Sequence, residues 1–359
     1  MFHWCSKEGK PVLKRGSQEV QQEIFVVKNL RRHLLGRPAV EALGLAVRVG
    51  AIFDGETNPV QLFPQMFQGL GKLEGEYEIK LKPDSKPFAI SVPRRVAVPL
   101  MGKVRAELER MEQLGVIAKV EVPTEWCAGM VVVPKPDGNV RICVDLTKLN
   151  QSVCRERHIL PAVEQTLAQL AGAQVFTKLD ANSGFWQIPL SADSALLTTF
   201  LTPFGRYCFH RLPFGITSAP EHFQRRMSAL LEGIEGVVCM MDDILVYGKN
   251  QEEHDERLLK VLQRLEVAGL TLNRQKCEFS QVLVKFLGQM VDKSGVRPDP
   301  AKVKAIQGMP IPKNVSDVRR FLGMVNQLGK FSPNLAEKTN PLRETAQKGQ
   351  GVAVGRSTT

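Results

Sequence analysis

The sequence predicts an α+β fold built on an antiparallel sheet. Two apolar runs flank Asp137-Gly138 in MVVVPKPDGNVRICVDLTKLN, the dipeptide that best tolerates the positive φ angles of a tight hairpin turn. VFTKLDANSGFWQIPL and GVVCMMDDILVYG read as strands of β-branched and aliphatic residues. Helical segments lie between and after them without a strict βαβ rhythm. With 359 residues, 43% of them hydrophobic, the chain can bury sizeable cores as two or three subdomains.

The first region, 1–75, is a poor match for a self-contained domain. In it, VQQEIFVVKNL reads as a strand and LLGRPAVEALGL as a short helix beginning at Pro38. NPVQLFPQMFQGLGKLEGEY is rich in Gly, Pro and Gln and reads as a linker or long surface loop. The alternation of YEIKLKP then predicts a strand. The prolines of KPDSKPFAISVPRRVAVP hold the chain extended until Pro99 opens a helix. Leu100, Val104, Leu108 and Met111 recur at helical spacing, and Gly115 ends that helix. TSAPEHFQRRMSALLEGI predicts a helix with Ser218 as N-cap and Pro220 in its first turn. NQEEHDERLLKVLQRLEVAGL predicts another, with Asn250 as cap, acidic residues at its positive end and Gly269 at its close.

Lys and Arg (48) outnumber Asp and Glu (37), and the net charge of +11 favours a polyanionic partner such as nucleic acid. Only 6% of residues are aromatic, so phosphate contacts are expected to outweigh base stacking. The seven cysteines are scattered without Cys-x-x-Cys spacing, which argues against a disulfide framework and a zinc knuckle and fits a reducing compartment. The chain shows neither an apolar run of membrane-spanning length nor the core of a signal peptide, so a soluble intracellular protein with no membrane partner is expected, in cytoplasm or nucleus.

The most informative feature is the adjacent pair Asp242 and Asp243 inside an apolar strand. Two carboxylates are too costly there unless a turn exposes them or a cation compensates them. On a continuous strand they point to opposite faces, whereas a tight bend at Met241 to Asp243 presents both near one opening. Asp180, at the end of VFTKLD, joins them if the two strands lie antiparallel side by side. Three carboxylates in one place suit a hard divalent cation and the layout of a two-metal phosphoryl-transfer site. Taken singly the signals are weak: Asp-Asp is usually a solvated turn, and Asp180 before Ala-Asn-Ser-Gly equally suits an Asx turn or a helix cap.

The order and spacing of KLDANSGFWQIPL, LPFGITSAPEHFQRRM, MMDDILVYG, GLTLNRQKCEF and VKFLGQMV resemble the successive motifs of reverse transcriptases of gypsy-type long-terminal-repeat retrotransposons. The match runs from about Tyr77 to about Leu342. The resemblance implies a right-hand polymerase of fingers, palm and thumb with an antiparallel palm sheet, divided as 1–75 protease remnant and linker, 76–290 fingers and palm, 291–345 thumb, and 346–359 disordered tail. It implies RNA-directed DNA synthesis with two Mg2+ ions (Mn2+ as an alternative), deoxynucleoside triphosphates and a primed RNA or DNA template. Asp180, Asp242 and Asp243 would hold the metals, with the Ala181 carbonyl as a further ligand. Lys276 matches the lysine assigned to protonating the departing pyrophosphate. Lys135 and Arg141 would contact the triphosphate, and Phe185 would sit under the sugar and reject a 2′-hydroxyl. Phe214 and Gly215 would complete the nucleotide site. Ser218, Pro220, Phe223, Gln224, Phe286, Leu287 and Gly288 match template and primer segments.

The pattern departs at Met240, where the family usually carries tyrosine before the aspartate pair, and at Gln327 and Leu328, where many relatives carry aromatics. The opening QEIFVVKNLRRHLLGRPAVEALGL resembles the end of an aspartic protease, yet no Asp-Thr-Gly or Asp-Ser-Gly occurs. Past Phe321 only Glu337 and Glu344 are acidic, too few for a ribonuclease H cluster, and no His follows His254 for an integrase zinc site. A catalytically inactive or co-opted fragment that binds nucleic acid is the rival expectation. The sequence leaves the oligomeric state open.

Overall fold

The computed structural model describes residues 5–7, 10–15, 18–21, 58–156 and 162–348. The chain opens on a small antiparallel sheet of β1 (Cys5–Lys7), β2 (Lys10–Arg15) and β3 (Gln18–Gln21). The helix expected at Pro38 and most of the strand VQQEIFVVKNL lie outside the described residues.

Residues 58–82 form a strap rather than the linker or surface loop that their Gly and Pro content suggests. Asn58 caps α1 (Pro59–Leu62), its side chain accepting from the Val60 N–H, and a 3-10 turn, Pro64–Phe67, follows. Phe63, Met66, Leu73, Tyr77 and Ile79 are all buried in the main core. These apolar residues have no single helical or strand period, which hides them from a pattern reading. YEIKLKP does alternate, with Tyr77 and Ile79 inside and Glu78 and Lys80 outside. It joins no ladder, however, and pairs only through bridges from Tyr77 to Leu190 and Leu81 to Val153.

The helix predicted from Pro99 begins as a 3-10 turn, Val98–Leu100, and continues as α2 (Met101–Gln113), burying Val104, Leu108 and Met111. Next come β4 (Ile117–Lys119), β5 (Ala128–Pro134) and β6 (Val140–Val144). The β5–β6 turn is wider than the two-residue hairpin expected at Asp137-Gly138. The Gly138 N–H donates to Lys135 O, the Lys135 N–H donates to Asn139 O, and only Gly138 takes positive φ. That is a type I turn followed by a left-handed glycine, the usual three-residue alternative. Two short helices follow, α3 (Thr147–Ser152) and α4 (Val163–Ala168).

VFTKLDANSGFWQIPL divides after its aspartate: β7 (Val175–Asp180) stops there, and Gly184–Gln187 forms a 3-10 turn. After α5 (Ala192–Leu197), the strands β8 (Phe200–Thr202) and β9 (Gly205–Phe209) complete a five-stranded sheet ordered β4-β9-β8-β5-β6, in which β5 and β8 run parallel. Helix α6 (Ala219–Leu231) starts at the predicted Ser218, but the Ser218 side chain caps nothing. Its hydroxyl is instead bonded to the Tyr77 hydroxyl at 2.6 Å.

The central sheet is built from β10 (Val237–Met240), β11 (Asp243–Gly248), β7 and β12 (Glu278–Gln281), ordered β10-β11-β7-β12 and antiparallel throughout. Helix α7 (Gln251–Val267), capped by Asn250 as expected, packs on it beside α6. Phe223 and Met227 on α6, and Leu258, Val261, Leu262 and Leu265 on α7, are completely buried. Each such side chain contributes about 1.5–3 kcal/mol of burial.

The boundary expected at residue 291 falls inside a three-stranded sheet of β13 (Leu283–Phe286), β14 (Gln289–Asp292) and β15 (Gly295–Pro298). Val284, Phe286 and Val291 of that sheet share a core with Phe176 and Leu245. Three helices follow, α8 (Pro300–Gln307), α9 (Val315–Gln327) and α10 (Leu335–Lys348). Helix α10 runs past residue 345, where the disordered tail was expected to begin, and buries Ala346 against Val318 and Leu322 of α9. Residues 349–359 lie outside the described residues. Among the described residues no helix is long and apolar enough to cross a membrane.

Candidate active site

Strand β7 ends at Asp180 and β11 begins at Asp243, and the two are direct partners in the antiparallel ladder. Because Met240 pairs with Asp243, the hairpin between β10 and β11 turns on two residues, Met241 and Asp242. Met241 holds φ at +55°, a left-handed conformation that costs a non-glycine residue about 1–2 kcal/mol. Gln224 on α6 secures the turn: its amide donates to Cys239 O at 3.0 Å, and its carbonyl oxygen accepts from the Met241 N–H at 2.7 Å. On the other side, the Ala181 N–H donates to Asp242 O at 2.9 Å. The bend predicted at Met241 to Asp243 therefore brings all three aspartates to one end of the sheet.

The three carboxylates are unequally compensated. The Lys276 ammonium lies 3.2 and 3.3 Å from the two oxygens of Asp180, and Lys178 lies 3.3 Å from Asp243. Asp242 Oδ1 is buried with no hydrogen-bond partner. Burial first, then the charges of Asp180 and Asp243, push the Asp242 carboxyl up to about 6, against a smaller opposing pull from Lys276. Burial first, then the charges of Asp242 and Asp243, raise the Cys239 thiol to about 12, which keeps it protonated and unreactive at neutral pH. Gly184 leaves room here that a side chain would take, because a Cβ would collide with Asp242 Oδ1 and stand 2.7 Å from the Phe223 ring.

Among the described residues no three His, Cys, Asp or Glu side chains are gathered closely enough to cage a metal as they stand. The donor chemistry nevertheless fits a hard cation: three neighbouring carboxylates, one with a buried orphan oxygen, carry an excess of negative charge at one sheet end.

Asp242 borders a cavity of about 580 Å3. Ala181, Asn182, Ser183, Trp186, Phe214 and Gly215 form one wall. Lys135 and Arg141 reach it from the β5–β6 hairpin, Arg110 and Glu107 from α2, and Lys276 from the turn before β12. That turn is itself tied to the carboxylate strand, since the Asn273 N–H donates to Asp180 O. The sequence reading named Lys135, Arg141, Lys276, Ala181, Phe214 and Gly215, and all six line this cavity. It missed Trp186 and the Glu107–Arg110 pair, whose two bonds at 2.8 Å look like an ordinary helical ion pair in sequence.

Other residues named for the site lie beneath the surface or in turns. Phe185 is buried beneath the wall, its ring 5.0 Å from Phe214 and 5.4 Å from Phe223. Ser218, Phe223 and Gln224 are buried too, Gln224 bonding the β10–β11 hairpin, and Pro220 is partly covered in the first turn of α6. Phe286 has no exposed surface, because the alternation of β13 turns it into the core. Leu287 and Gly288, both at positive φ, make the β13–β14 turn.

The sequence model of the family described as "Reverse transcriptase (RNA-dependent DNA polymerase)" matches residues 133–291. Two polyproteins of Schizosaccharomyces pombe, "Transposon Tf2-3 polyprotein" and "Transposon Tf2-7 polyprotein", are 35% and 34% identical over 298 residues, covering 82% of this chain and 22% of each relative. The chain spans about a fifth of the length of these curated relatives. Among solved structures, the foamy viral protease-reverse transcriptase in complex with dsDNA aligns at a TM-score of 0.75 and 22% identity, over 85% of this chain and 66% of that one. Its complex with RNA/DNA hybrid aligns at 0.71 and 20%, over 92% and 45%. These likenesses establish the right-hand polymerase fold. With the family model across its central sheet and polyprotein relatives across four-fifths of its length, the chain belongs to the reverse transcriptase family and is of the kind carried in retrotransposon polyproteins.

Proposed function

We propose that the chain is the polymerase core of a reverse transcriptase, extending a primer on an RNA or DNA template with deoxynucleoside triphosphates. The observation that carries this is the convergence of Asp180, Asp242 and Asp243 at one end of the central sheet, where Asp242 borders a cavity with a cationic rim. The three aspartates would hold a pair of Mg2+ ions. When bound, such a pair neutralises charge on the attacking 3′-hydroxyl and on the leaving pyrophosphate.

The chain's own groups do the rest. Lys135 and Arg141 receive the triphosphate, where charge-assisted bonds orient it for in-line attack. Trp186 and Phe214 form the apolar wall against which base and sugar rest, with Phe185 setting the depth of that wall from below. Lys276, which bonds Asp180, donates a proton to the departing pyrophosphate in this reading. The relatives solved with RNA/DNA hybrid and with dsDNA support a nucleic-acid duplex as the partner, and the net charge of +11 suits it.

Extension of a primed RNA template by the purified chain with Mg2+ tests the reading. Incorporation by the wild type that is lost in Asp242→Asn supports it. Salt-sensitive binding of primed template without incorporation favours a fragment that binds and does not synthesise.

A further inference from the structure

The wall residues Ala181–Ser183 are held in place by a segment that lies N-terminal to the family-matched region. Gln187, completely buried, is the hub. Its amide donates to Asn182 O and Thr271 O, both at 2.8 Å, and its carbonyl oxygen accepts from the Thr271 N–H at 2.8 Å. Thr271 O in turn accepts from the Asn182 N–H at 2.9 Å. One side chain thus locks the loop after Asp180 to the strand-like segment that leads to Lys276.

The strap closes this lock from outside. The Gly71 N–H donates to Thr271 Oγ1 at 2.8 Å, the Lys72 N–H to Gly269 O at 2.9 Å, and the Leu73 N–H to Gln187 O at 2.8 Å. The Asn182 amide donates to Gly69 O at 2.8 Å, and the Leu272 N–H to Met66 O at 2.7 Å. The approach is so close that only glycine fits at position 71: a Cβ would strike Gln187 Oε1 and stand 2.6 Å from Gly269 O. A network this buried and this fully paired has essentially one arrangement, because any shift leaves amides and carbonyls without partners.

We propose that the strap residues Met66–Leu73, acting through Gln187 and Thr271, are positioning elements of the nucleotide site: they fix Ala181–Ser183 against the incoming deoxynucleotide. This rests on the polymerase reading above. It makes residues 58–75 a working part of the polymerase, although none of them lines the cavity. A plain core role predicts lost stability with unchanged nucleotide recognition, and the two can be separated.

The test uses the full chain with Gly71→Ala, Thr271→Val and Thr271→Ser. Gly71→Ala forces the strap off its partners. Thr271→Val keeps the branched shape but exchanges the hydroxyl that accepts from the Gly71 N–H for a methyl group, and serves if Gly71→Ala does not fold. In primer extension, Thr271→Val is expected to raise the dNTP KM by about tenfold and to admit more ribonucleotide, with template–primer affinity unchanged, since displacement by even an ångström degrades a positioned reactant. Thr271→Ser restores wild-type behaviour. Folded variants with wild-type dNTP KM and wild-type ribonucleotide rejection overturn the inference. If the wild type incorporates nothing, the polymerase reading falls by itself, and hydrogen exchange decides the positioning separately. Faster exchange at the Asn182 amide in Thr271→Val supports it, and unchanged exchange there overturns it.

Discussion

Asp180 and Asp243 face one another as cross-strand partners of β7 and β11, and Asp242 stands next to Asp243 in the turn that closes the same hairpin. Lysines stand beside the first two, whereas an oxygen of the third is buried alone. The folded chain therefore carries an electrostatic penalty at this point that neutralising one carboxylate relieves.

Without divalent ions, Asp242→Asn is expected to be more stable than the wild type at neutral pH, by on the order of 1–3 kcal/mol. The sign follows from the raised carboxyl, at about 6 in the folded chain against 3.8 ordinarily. Ionisation is costlier in the folded state, so stability is lost as pH rises through that window, and the amide has nothing to lose. Thermal unfolding in chelator measures the difference. Added Mn2+ should then raise the Tm of the wild type more than that of the variant.

Gly184→Ala places a methyl group against Asp242 Oδ1 and the Phe223 ring. Overpacking of this kind costs about 1–3 kcal/mol, and here it also displaces a carboxylate of the proposed centre. A variant with a modestly lowered Tm and strongly reduced nucleotide incorporation is expected. Normal incorporation would show that Asp242 has more freedom than its surroundings suggest.

Lys135→Ala and Arg141→Ala each remove one cation from the cavity rim while leaving the hairpin backbone intact. A charge-assisted bond is worth about 1.5–3 kcal/mol, so the dNTP KM is expected to rise about ten- to a hundredfold in each. Steady-state kinetics on a fixed template–primer separates this from weakened nucleic-acid binding, which would raise the KM for template–primer instead.

His222, on α6, supplies a pH dependence remote from the carboxylates. Its ring lies tilted with its centre 4.4 Å from that of Tyr77, Arg225 donates to Nδ1 at 3.1 Å, and Nε2 is buried without a partner. Burial holds its pKa below the ordinary value of 6.5, helped by Arg225 and Arg226 and opposed by Glu156, whose carboxylate lies 3.7 Å from Nδ1. The folded chain resists this proton more than the unfolded chain does. The contribution to stability is therefore complete above about pH 6.5 and is lost as pH falls below it. The Tm of the wild type should drop more between about pH 7 and pH 5.5 than that of His222→Asn. Parallel profiles would remove His222 from the account.

The carboxylate turn was legible because two aspartates in an apolar strand demand an exit from the core, and the structure supplies it as the Met241-Asp242 turn. The long helices were legible from their period and caps, as at Asn250. Most of the strap was not, because Phe63, Met66 and Leu73 follow no period and their Gly and Pro neighbours suggest a loop. The roles given to Ser218, Phe223, Gln224 and Phe286 came from resemblance to the family and not from the residues, and all four are buried. Gln187 could not have been found at all. A buried glutamine is identified by its partners, and those lie in segments distant in sequence.

The most direct test is Mg2+-dependent extension of a primed RNA template by the purified chain and by Asp180→Asn, Asp242→Asn and Asp243→Asn. The account predicts incorporation by the wild type and a fall of about a thousandfold or more in each variant, the loss of several kcal/mol of transition-state stabilisation, with folding retained. Equal synthesis by the wild type and any one of the three variants would contradict it.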